Sequence, residues 1–408
     1  MRKLITFLGK GKYDETTYRW DKLEYTTRYF AEAVANWLRP DCVYVLLTPE
    51  AEADEKKHWP NLKERLEARR FAIVPIRIPG GQDASELWQI FQAIERQVVK
   101  EGDELIFDIT HGYRSLPILF LLVVAYLRQI RGVQLLHILY GAYDARDMEK
   151  NISPVYEITP LVSLLDWLTA AKIFMTTGDG RELAGLIRTI SNLPQQQEGL
   201  ATPFEELSTL LMLNRVPNIP SAARHFTHAV EATAAVELPV QARPLTSILQ
   251  HISKTYENIS KPDDAESEMH LVAWYYDKGH MLQAATLAGE FLVNLVIRAT
   301  KPDRLSREHA RSAVSRTIER FLTGKKPTNE QDKDLEDVRA FLEKFANDHE
   351  EAYEKYKSAW SELRDIRNDL AHCGYREKVA KPDEISEKLK THIDNLSAIL
   401  DAVRSIRV

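Results

Sequence analysis

The stretch from Glu104 to Leu127 reads ELIFDITHGYRSLPILFLLVVAYL. Its first residues are continuously apolar, which favours a central strand covered on both faces. A polar loop from Thr110 to Ser115 follows, and an apolar helical stretch begins at Leu116 with a proline near its first position. A strand, a polar loop and a helix in this order predict a parallel, doubly wound sheet, in which ligands bind beyond the carboxyl ends of the strands.

The rest of the N-terminal part repeats this alternation. Strands are predicted at Leu4–Leu8, Val43–Leu47, Phe71–Ile76, Leu105–Ile109, Val133–Tyr140 and Val155–Ile158. Helices are predicted at Asp21–Leu38, Glu52–Arg69, Ala84–Val99 and Leu116–Ile130, the third with Asp83 as its N-cap. We therefore predict an α/β domain with a Rossmann-like parallel sheet over residues 1–158.

From Pro160 onward the strand signals disappear and helical periodicity takes over. An all-α connecting region is predicted over residues 159–262, with helices at Leu161–Met175, Arg181–Ile190, Phe204–Leu213, Ser221–Glu237 and Pro244–Asn258. An all-α terminal domain is predicted over residues 263–408, with helices at Ala265–Asp277, Met281–Arg298, Ser306–Phe321, Asp332–Ala346, Glu351–Cys373 and Glu384–Ile406.

Composition narrows the class of protein. The chain has 408 residues and a net charge of -6, which argues against a constitutive nucleic-acid binder but not against an enzyme with a local basic cleft. Its two cysteines, Cys42 and Cys373, form neither a disulfide framework nor a cysteine-rich zinc site. The apolar runs are too short for a signal peptide or a membrane span. We expect a soluble, cytoplasmic protein with no membrane partner.

Polar and basic residues follow three of the predicted strands. Gly112 lets the backbone approach a ligand, and the next helix offers free N–H groups to an anion. The sequence therefore predicts a nucleotide-like anionic ligand. Simpler roles stay open, since Ser115 can cap a helix, His111 can be a turn residue, and Arg114 can pair with Asp108 or Glu104. Gly-x-Gly-x-x-Gly, P-loop and His-Glu-x-x-His patterns are all missing, so we predict neither a dinucleotide cofactor nor a metal site.

A second pattern lies at 363–374, which reads LRDIRNDLAHCG. As a helix it places Leu363, Ile366 and Leu370 on one apolar stripe, and it gathers Arg364, Arg367, Asn368 and His372 opposite them. Gly374 is expected at the C′ position. Arginine matches phosphate geometry and histidine transfers protons near neutral pH, so this face suits phosphodiester chemistry. The alternative is an ordinary solvated face.

The same Arg-x4-His spacing occurs at Arg304 and His309. Arg304 follows Lys301-Pro302-Asp303, so it is expected at a helix start, and this pair is not expected to share one well-formed helix. The two copies therefore differ in context, because Arg367 continues a helix that contains Tyr353, Tyr356, Trp360 and Leu363.

Together the two patterns resemble one family. Residues 108–117, DITHGYRSLP, resemble the signature of CARF domains, and residues 367–372, RNDLAH, resemble the Arg-x4-His motif of HEPN ribonucleases. Tyr276 to Glu290 is similar to the first long helix of that HEPN domain. Their order resembles the CARF–HEPN ribonucleases of type III CRISPR systems.

The resemblance implies a dimeric CARF domain that binds cyclic oligoadenylate and a HEPN pair that cuts single-stranded RNA without metal. Cyclic tetra-adenylate is favoured as the activator, and hexa-adenylate stays open. The partnership with the type III complex is expected to be functional rather than physical. Carried over by position, the ligand site comprises Gly9, Lys10, Thr48, Thr110, His111, Gly112, Arg114 and Ser115. The nuclease site comprises Arg367, Asn368 and His372.

Metal-free RNA cleavage uses the ribose 2′-OH as nucleophile and yields a 2′,3′-cyclic phosphate. His372 is the candidate for proton transfer, Arg367 for stabilising the phosphorane, and Asn368 for orienting either group. Because one chain supplies one histidine on this face, a homodimer or higher oligomer is expected. Two alternatives stay open: a ligand-gated interaction protein with a non-catalytic HEPN-like domain, and a ring nuclease that cuts cyclic oligoadenylate with His111 and Lys10.

Overall fold

The computed structural model describes residues 1–9, 11, 13–53, 57–111, 116–190, 194–235, 243–261, 265–326, 335–375 and 379–406. The chain divides into two compact units, Met1–Asp166 and Trp167–Val408. The first unit holds the sheet and its helices, and the second is helical. This agrees with the predicted fold class, an α/β N-terminal part followed by all-α structure.

Unit one contains an eight-stranded sheet in the order β3-β2-β8-β7-β6-β1-β4-β5. Its strands are β1 Arg2–Leu8, β2 Thr16–Trp20, β3 Leu23–Thr27, β4 Cys42–Leu47, β5 Ala72–Arg77, β6 Glu104–Asp108, β7 Gln134–Gly141 and β8 Ile152–Glu157. The six predicted strands are all present, with ends shifted by a few residues. β1 pairs in parallel with both β4 and β6. The chain adds β4 and β5 on one side of β1 and β6 and β7 on the other, so the order reverses between β1 and β6.

The sheet is mixed, so the prediction of an all-parallel sheet was wrong at one side. β8 pairs antiparallel with β7, and β2 and β3 form an antiparallel hairpin. The helix predicted over Asp21–Leu38 was also wrong in its first half, because β3 occupies Leu23–Thr27 and α1 covers only Phe30–Leu38. The strands contain the β-branched and aromatic runs TTYRW and LEYTT. Asp21 between them has a φ of 48°, as a tight hairpin turn requires.

Helices cover both faces of this sheet. They are α1, α2 Pro49–Glu52, α3 His58–Glu67, α4 Ala84–Ala93, which continues as a π-helical turn at Ile94–Val98, and α5 Leu116–Arg131. Alternate residues of β1 enter the two cores: Ile5 packs with Phe107 and Phe120, and Leu4 packs with Phe30 and Leu62. The predicted N-cap is confirmed, since the amide of Glu86 donates to the Asp83 carboxylate at 2.8 Å.

The remaining helices begin with α6, Thr159–Thr177, which contains the boundary between the units. They continue as α7 Arg181–Arg188, α8 Pro194–Met212, α9 Ile219–Ala234, α10 Arg243–Thr255, α11 Ala265–Asp277, α12 Met281–Thr300, α13 Glu308–Thr323, α14 Glu336–Asp348, α15 Glu350–Ala371 and α16 Pro382–Ser405. The helices predicted after residue 159 are all present, although the predicted ends at Glu237 and Asp332 lie outside the described residues. The one predicted from Phe204 begins at Pro194, because α8 accommodates Pro203 inside it.

One core cluster runs through unit two, from Trp167 to Ile406. α12 lies in this core with eleven buried residues, among them Phe291 and Leu292. Among the described helices α12 is the one that is long and apolar enough to cross a membrane by length and composition, although most of it is buried in the protein. The predicted bounds at residues 158 and 262 stay predictions.

Candidate functional site

The carboxyl ends of β1, β4 and β6 meet at one edge of the sheet. Parallel pairing aligns Leu8 with Leu47 and Thr6 with Asp108, so the residues that follow these strands are neighbours. We call this edge, with Gly9, Thr48, Thr110 and His111, the strand-end edge. It lies where the strand order reverses, which is where doubly wound sheets bind ligands. The other predicted ligand residues, Lys10, Gly112, Arg114 and Ser115, lie outside the described residues.

Gly9 and His111 approach each other closely at the strand-end edge. A Cβ atom on residue 9 would lie 3.1 Å from the carbonyl oxygen of His111. That separation is tighter than most van der Waals contacts, so a side chain at residue 9 would require the loops after β1 and β6 to shift by a few tenths of an ångström. The glycine that the sequence marks as a ligand residue therefore also allows these two loops to approach each other closely.

Thr110 and Asp108 form a buried network behind the edge. Asp108 is 1% exposed, and its carboxylate accepts hydrogen bonds from the Thr6 hydroxyl at 2.7 Å and the Thr110 amide at 2.9 Å. The Gly141 amide donates to the Thr110 hydroxyl at 2.8 Å. Burial raises the pKa of Asp108, and the hydrogen bonds from Thr6 and Thr110 oppose this rise. The Thr110 hydroxyl thus ties the end of β6 to the end of β7.

The Thr48 hydroxyl also forms a hydrogen bond within the domain. It precedes α2, and its hydroxyl accepts a hydrogen bond from the Ala51 amide at 3.2 Å, as an N-cap residue does. The side chain is buried, with 8% of its surface exposed. Both threonines that the sequence assigned to ligand binding therefore have their hydroxyl oxygens engaged within the domain.

An aromatic cluster that the sequence did not predict supports the edge. The Tyr13 hydroxyl accepts from the Gly9 amide at 2.9 Å and donates to the Gly9 carbonyl at 3.2 Å. The Tyr13 ring centroid lies 4.5 Å from that of His111 and 4.4 Å from that of His58. The Tyr29 hydroxyl lies 3.1 Å from His58 Nδ1. An aromatic residue four positions after a strand-end glycine was a usable signal for Tyr13, whereas His58 and Tyr29 come from distant segments.

His111 is the titratable side chain at the centre of this cluster. It is half-buried overall, and its Nε2 atom is buried with no hydrogen-bond partner among the residues described. Burial, and then the charge of nearby His58, lower the pKa of His111 from 6.5 to about 4. The imidazole is therefore neutral at pH 7, with one ring nitrogen that donates and one that accepts a hydrogen bond, and it offers a ligand no positive charge.

The second pattern lies at the end of α15 in unit two. Leu363 and Ile366 are buried and Leu370 is half-buried, which confirms the predicted apolar stripe. Arg367 and His372 are exposed and Asn368 is half-buried. We call these three residues the α15 end.

Their local contacts order part of this group. The Arg367 guanidinium donates to Asn368 Oδ1, at 2.8 Å from Nη2 and 3.3 Å from Nε. The predicted face also included Arg364, whose guanidinium instead pairs with Glu319 of α13 at 2.8 Å. The side chain of Arg367 is thus oriented by Asn368, the next residue in the chain, whereas the side chain of Arg364 forms an ion pair with another helix.

The helix ends directly at the histidine. The His372 amide donates to the Asn368 carbonyl at 3.1 Å, and the Gly374 amide donates to the Asp369 carbonyl at 3.3 Å. The first left-handed residue is Cys373, with a φ of 55°, and Gly374 follows with a φ of 74°. The predicted C′ position was therefore one residue too late, because the 6→1 hydrogen bond uses Gly374 as the residue after C′. His372 caps the helix and remains exposed.

The second Arg-x4-His copy is arranged differently, as predicted. Arg304 lies in a 3₁₀ turn, Pro302–Ser306, whereas His309 lies in α13. The Arg304 guanidinium is mostly buried and pairs with Asp337 at 2.9 Å. This pair does not share one helix, and its arginine is held by a carboxylate.

Comparisons with known proteins agree with the fold of unit one. Residues 3–143 match the family model described as "CRISPR system endoribonuclease Csx1, CARF domain", and residues 163–264 match "CRISPR-associated protein MJ1674, second domain". The chain is 22% identical over 200 residues to CRISPR-associated protein MJ1674 of Methanocaldococcus jannaschii. That alignment covers 48% of this chain and 30% of the relative, so the chain spans less than a third of the relative's length.

A solved structure, "Enterococcus italicus Csm6 bound to cyclic hexa-2'-fluoro-hexa-dAMP", is similar with a TM-score of 0.46 and 11% identity, over 100% of this chain and 95% of that chain. The CARF family model spans β1 to β7 and includes the strand-end edge. The signature quoted from the sequence lies within the same residues. Residues 3–143 of this chain are therefore similar to the CARF domain of CRISPR-associated proteins.

Proposed function

We propose that this protein is a cytoplasmic, metal-independent endoribonuclease that cyclic oligoadenylate activates and that cuts single-stranded RNA in type III CRISPR defence. One observation carries the proposal: a chain with a CARF domain exposes Arg367 and His372 at the end of one helix, with half-buried Asn368 beside Arg367. The arginine is already oriented by the Asn368 side chain, and the histidine is free of the sheet and core contacts that hold the protein's buried histidines.

The chemistry follows from the properties of these groups. The 2′-OH of the substrate attacks the adjacent phosphorus, its proton leaves, and the 5′-oxygen of the next nucleotide departs with a proton. His372 transfers a proton at one of these oxygens, since an imidazole ring has one nitrogen that can accept a proton and one that can donate. Arg367 stabilises the phosphorane through a permanent charge. Asn368 orients Arg367 through the hydrogen bonds described above. The products are a 2′,3′-cyclic phosphate and a 5′-OH.

Two proton transfers are needed and each chain brings one histidine to the α15 end, so we propose a homodimer with a composite nuclease site. An exposed apolar face in unit one supports dimerisation. On α5, Ile118 is 68% exposed, Leu122 60% and Ile130 60%, and on α6 Leu161 is 67% exposed. Arg128 of α5 and Asp166 of α6 form a bidentate ion pair, with both N–O distances 2.9 Å, which links the two helices.

This face has the composition of an interface core. The α5 sequence from Leu116 to Leu127 contains no charged residue, and charges lie only toward its end. Interface cores are depleted in charge, and a stable dimer buries roughly 800 Å² on each partner. Contiguous apolar patches of several hundred Å² are uncommon on monomers. Because the face carries no charge, it can pack against the same face of a second copy without a complementary charge.

The proposed activator binds at the strand-end edge of the CARF domain. Gly9 allows close approach, and His111 supplies a hydrogen bond without charge. Ligand binding then changes the activity of the α15 end through a coupling free energy, and couplings of about 1–3 kcal/mol correspond to roughly 5- to 150-fold changes. Cyclic tetra-adenylate is the first activator to test and cyclic hexa-adenylate the second.

The experiment is an RNA cleavage assay in EDTA. Labelled single-stranded RNA is incubated with the protein alone, with cyclic tetra-adenylate, or with cyclic hexa-adenylate. We expect cleavage with one of the two rings and products that end in a 2′,3′-cyclic phosphate. Tight ligand binding without any cleavage, with or without divalent metal, would favour the ligand-gated interaction protein instead.

A second activity has one observation in its favour. His111 is a neutral imidazole with a buried Nε2 that has no partner among the described residues, at the edge where the ring is proposed to bind. Such a group can assist attack by a 2′-OH of the ligand itself, which would make the CARF domain a ring nuclease. Chromatography of the cyclic oligoadenylate after incubation with His372→Ala tests this activity without RNA cleavage. Linear products would support it, and intact rings would exclude it.

A further inference from the structure

Tyr13 contacts the residues that follow two of the three strands at the strand-end edge, Gly9 after β1 and His111 after β6. It follows β1 in the loop toward β2 and is 7% exposed. Its hydroxyl makes two hydrogen bonds to one residue, accepting from the Gly9 amide and donating to the Gly9 carbonyl. Two bonds to the two ends of one glycine fix the direction of both peptide groups around it. A glycine without such a partner would be the least restrained residue at the edge.

The Tyr13 ring also contacts His111, the residue in the loop after β6. Its centroid lies 4.5 Å from the His111 ring, at an interplanar angle of 54°. Tyr13 therefore links the residue after β1 to the loop after β6, and it does so across the point where the strand order reverses. The close approach of the Gly9 position to the His111 carbonyl leaves little space for either loop to shift alone.

Tyr13 also packs against two other aromatic residues. Its ring lies 4.4 Å from His58, the first residue of α3, and 5.2 Å from Tyr29, the N-cap residue of α1. Burial also raises the pKa of the Tyr13 hydroxyl, which keeps it protonated and able to donate to Gly9. Two helix starts and two strand ends thus meet at one phenol ring.

We propose that Tyr13 is a positioning residue of the ligand site: it holds the Gly9 backbone and the His111 imidazole at a fixed separation so that both contact one nucleotide of the bound ring. The inference rests on the proposed function, since it takes cyclic oligoadenylate as the ligand. Tyr13 lies outside the strand-end motifs. Its proposed role is to position Gly9 and His111, and this role does not require Tyr13 to contact the ligand.

Calorimetric titration with cyclic tetra-adenylate and cyclic hexa-adenylate tests the proposal on three variants. Tyr13→Phe removes the hydroxyl and keeps the ring, Tyr13→Leu removes both, and Tyr156→Phe is the control, because Tyr156 is a half-exposed tyrosine on β8. We expect a Kd about tenfold higher for Tyr13→Phe, a larger increase for Tyr13→Leu, and an unchanged Kd for Tyr156→Phe. Thermal unfolding of each variant shows that the fold is kept.

A histidine-ring NMR titration supplies a readout that general destabilisation would not move. The His111 resonance is identified with His111→Gln. In Tyr13→Phe, where the ring remains, we expect the His111 pKa to stay near 4, while in Tyr13→Leu it moves toward 6.5. Wild-type protein that binds neither ring contradicts the proposed function. Wild-type protein that binds tightly, together with Tyr13→Phe of equal Kd, overturns the role of Tyr13 alone.

Discussion

The guanidinium of Arg367 donates two hydrogen bonds to the side-chain oxygen of Asn368, the next residue in the chain. Consecutive residues on a helix point about 100° apart, so this contact pulls the long arginine side chain round toward its neighbour. The same turn ends with His372, whose amide donates to the Asn368 carbonyl. Asn368 therefore contacts both of the other groups at the α15 end, one through its side chain and one through its backbone.

The first prediction concerns this asparagine. Asn368→Ala removes the acceptor that orients Arg367 but keeps the helix and both charged groups. We expect kcat for RNA cleavage to fall about tenfold with a smaller change in KM, because a mispositioned arginine still attracts RNA but stabilises the phosphorane less well. Asn395→Ala on α16, another half-buried asparagine, is the matched control and should keep wild-type kinetics. An unchanged kcat for Asn368→Ala would remove Asn368 from the site.

The second prediction uses two glycines of one loop. A Cβ on residue 9 would lie 3.1 Å from the His111 carbonyl oxygen, whereas a Cβ on residue 11 would have nothing within 4 Å. Gly9→Ala should therefore push the loops after β1 and β6 apart and raise the Kd for cyclic oligoadenylate at least tenfold. Gly11→Ala should leave the Kd unchanged. Equal affinities for the two variants in a titration would show that the ligand does not depend on this approach.

The third prediction is a pH effect on stability. The pKa of His111 is about 4 in the folded chain and 6.5 ordinarily. Below pH 6.5 the unfolded chain therefore binds a proton at this residue that the folded chain does not bind. Stability is lost as the pH falls from 6.5 to 4, and nothing is lost above 6.5. The loss reaches at most about 3 kcal/mol.

Urea unfolding at pH 7 and at pH 4.5 measures this loss for wild-type protein and for His111→Gln. We expect the wild type to lose more stability on acidification than the variant, since glutamine does not titrate. The other titrating groups are shared, so the difference between the two proteins isolates His111. Identical losses would mean that His111 titrates normally in the folded chain.

The fourth prediction concerns the apolar face of α5. Leu122→Glu places a charge at its centre and should convert a dimer into a monomer, because burying an unpaired carboxylate in an interface is costly. Leu213→Glu, at a residue 62% exposed beyond the end of α8, is the control and should leave the mass unchanged. Light scattering after size-exclusion chromatography reports the mass. A dimeric Leu122→Glu would place the interface elsewhere.

Local signals were sufficient for most of the fold and for part of the sites. The strand Glu104–Asp108 followed from its apolar run, and the apolar stripe of α15 followed from helical periodicity. β3 was missed because its residues were placed in a predicted helix, and β2 was not predicted at all. Both strands depend on pairing, since β2 pairs with β8 and β3 pairs with β2. The Tyr13–His58 contact was missed because it joins residues 45 positions apart, and such contacts leave no local pattern.

The assignment of Thr110 shows a different limit. The sequence identifies a polar residue at a strand end, but it does not show which partner takes the hydroxyl. In the folded chain the Gly141 amide donates to this hydroxyl. The polar residue types therefore indicated which strand ends lie at this edge. The hydrogen-bond partner of each side chain depends on contacts between distant strands, which the sequence does not show.

The central claim is that the α15 end cuts RNA when cyclic oligoadenylate is bound. The most direct measurement is cleavage of labelled single-stranded RNA in EDTA, with saturating cyclic tetra-adenylate or cyclic hexa-adenylate, by wild type, His372→Ala and His309→Ala. Both histidines are exposed, and each lies five residues after an arginine. We predict activator-dependent cleavage by the wild type and by His309→Ala, and at least a hundredfold loss in His372→Ala with ligand binding intact. Cleavage by His372→Ala at the wild-type rate would contradict the account.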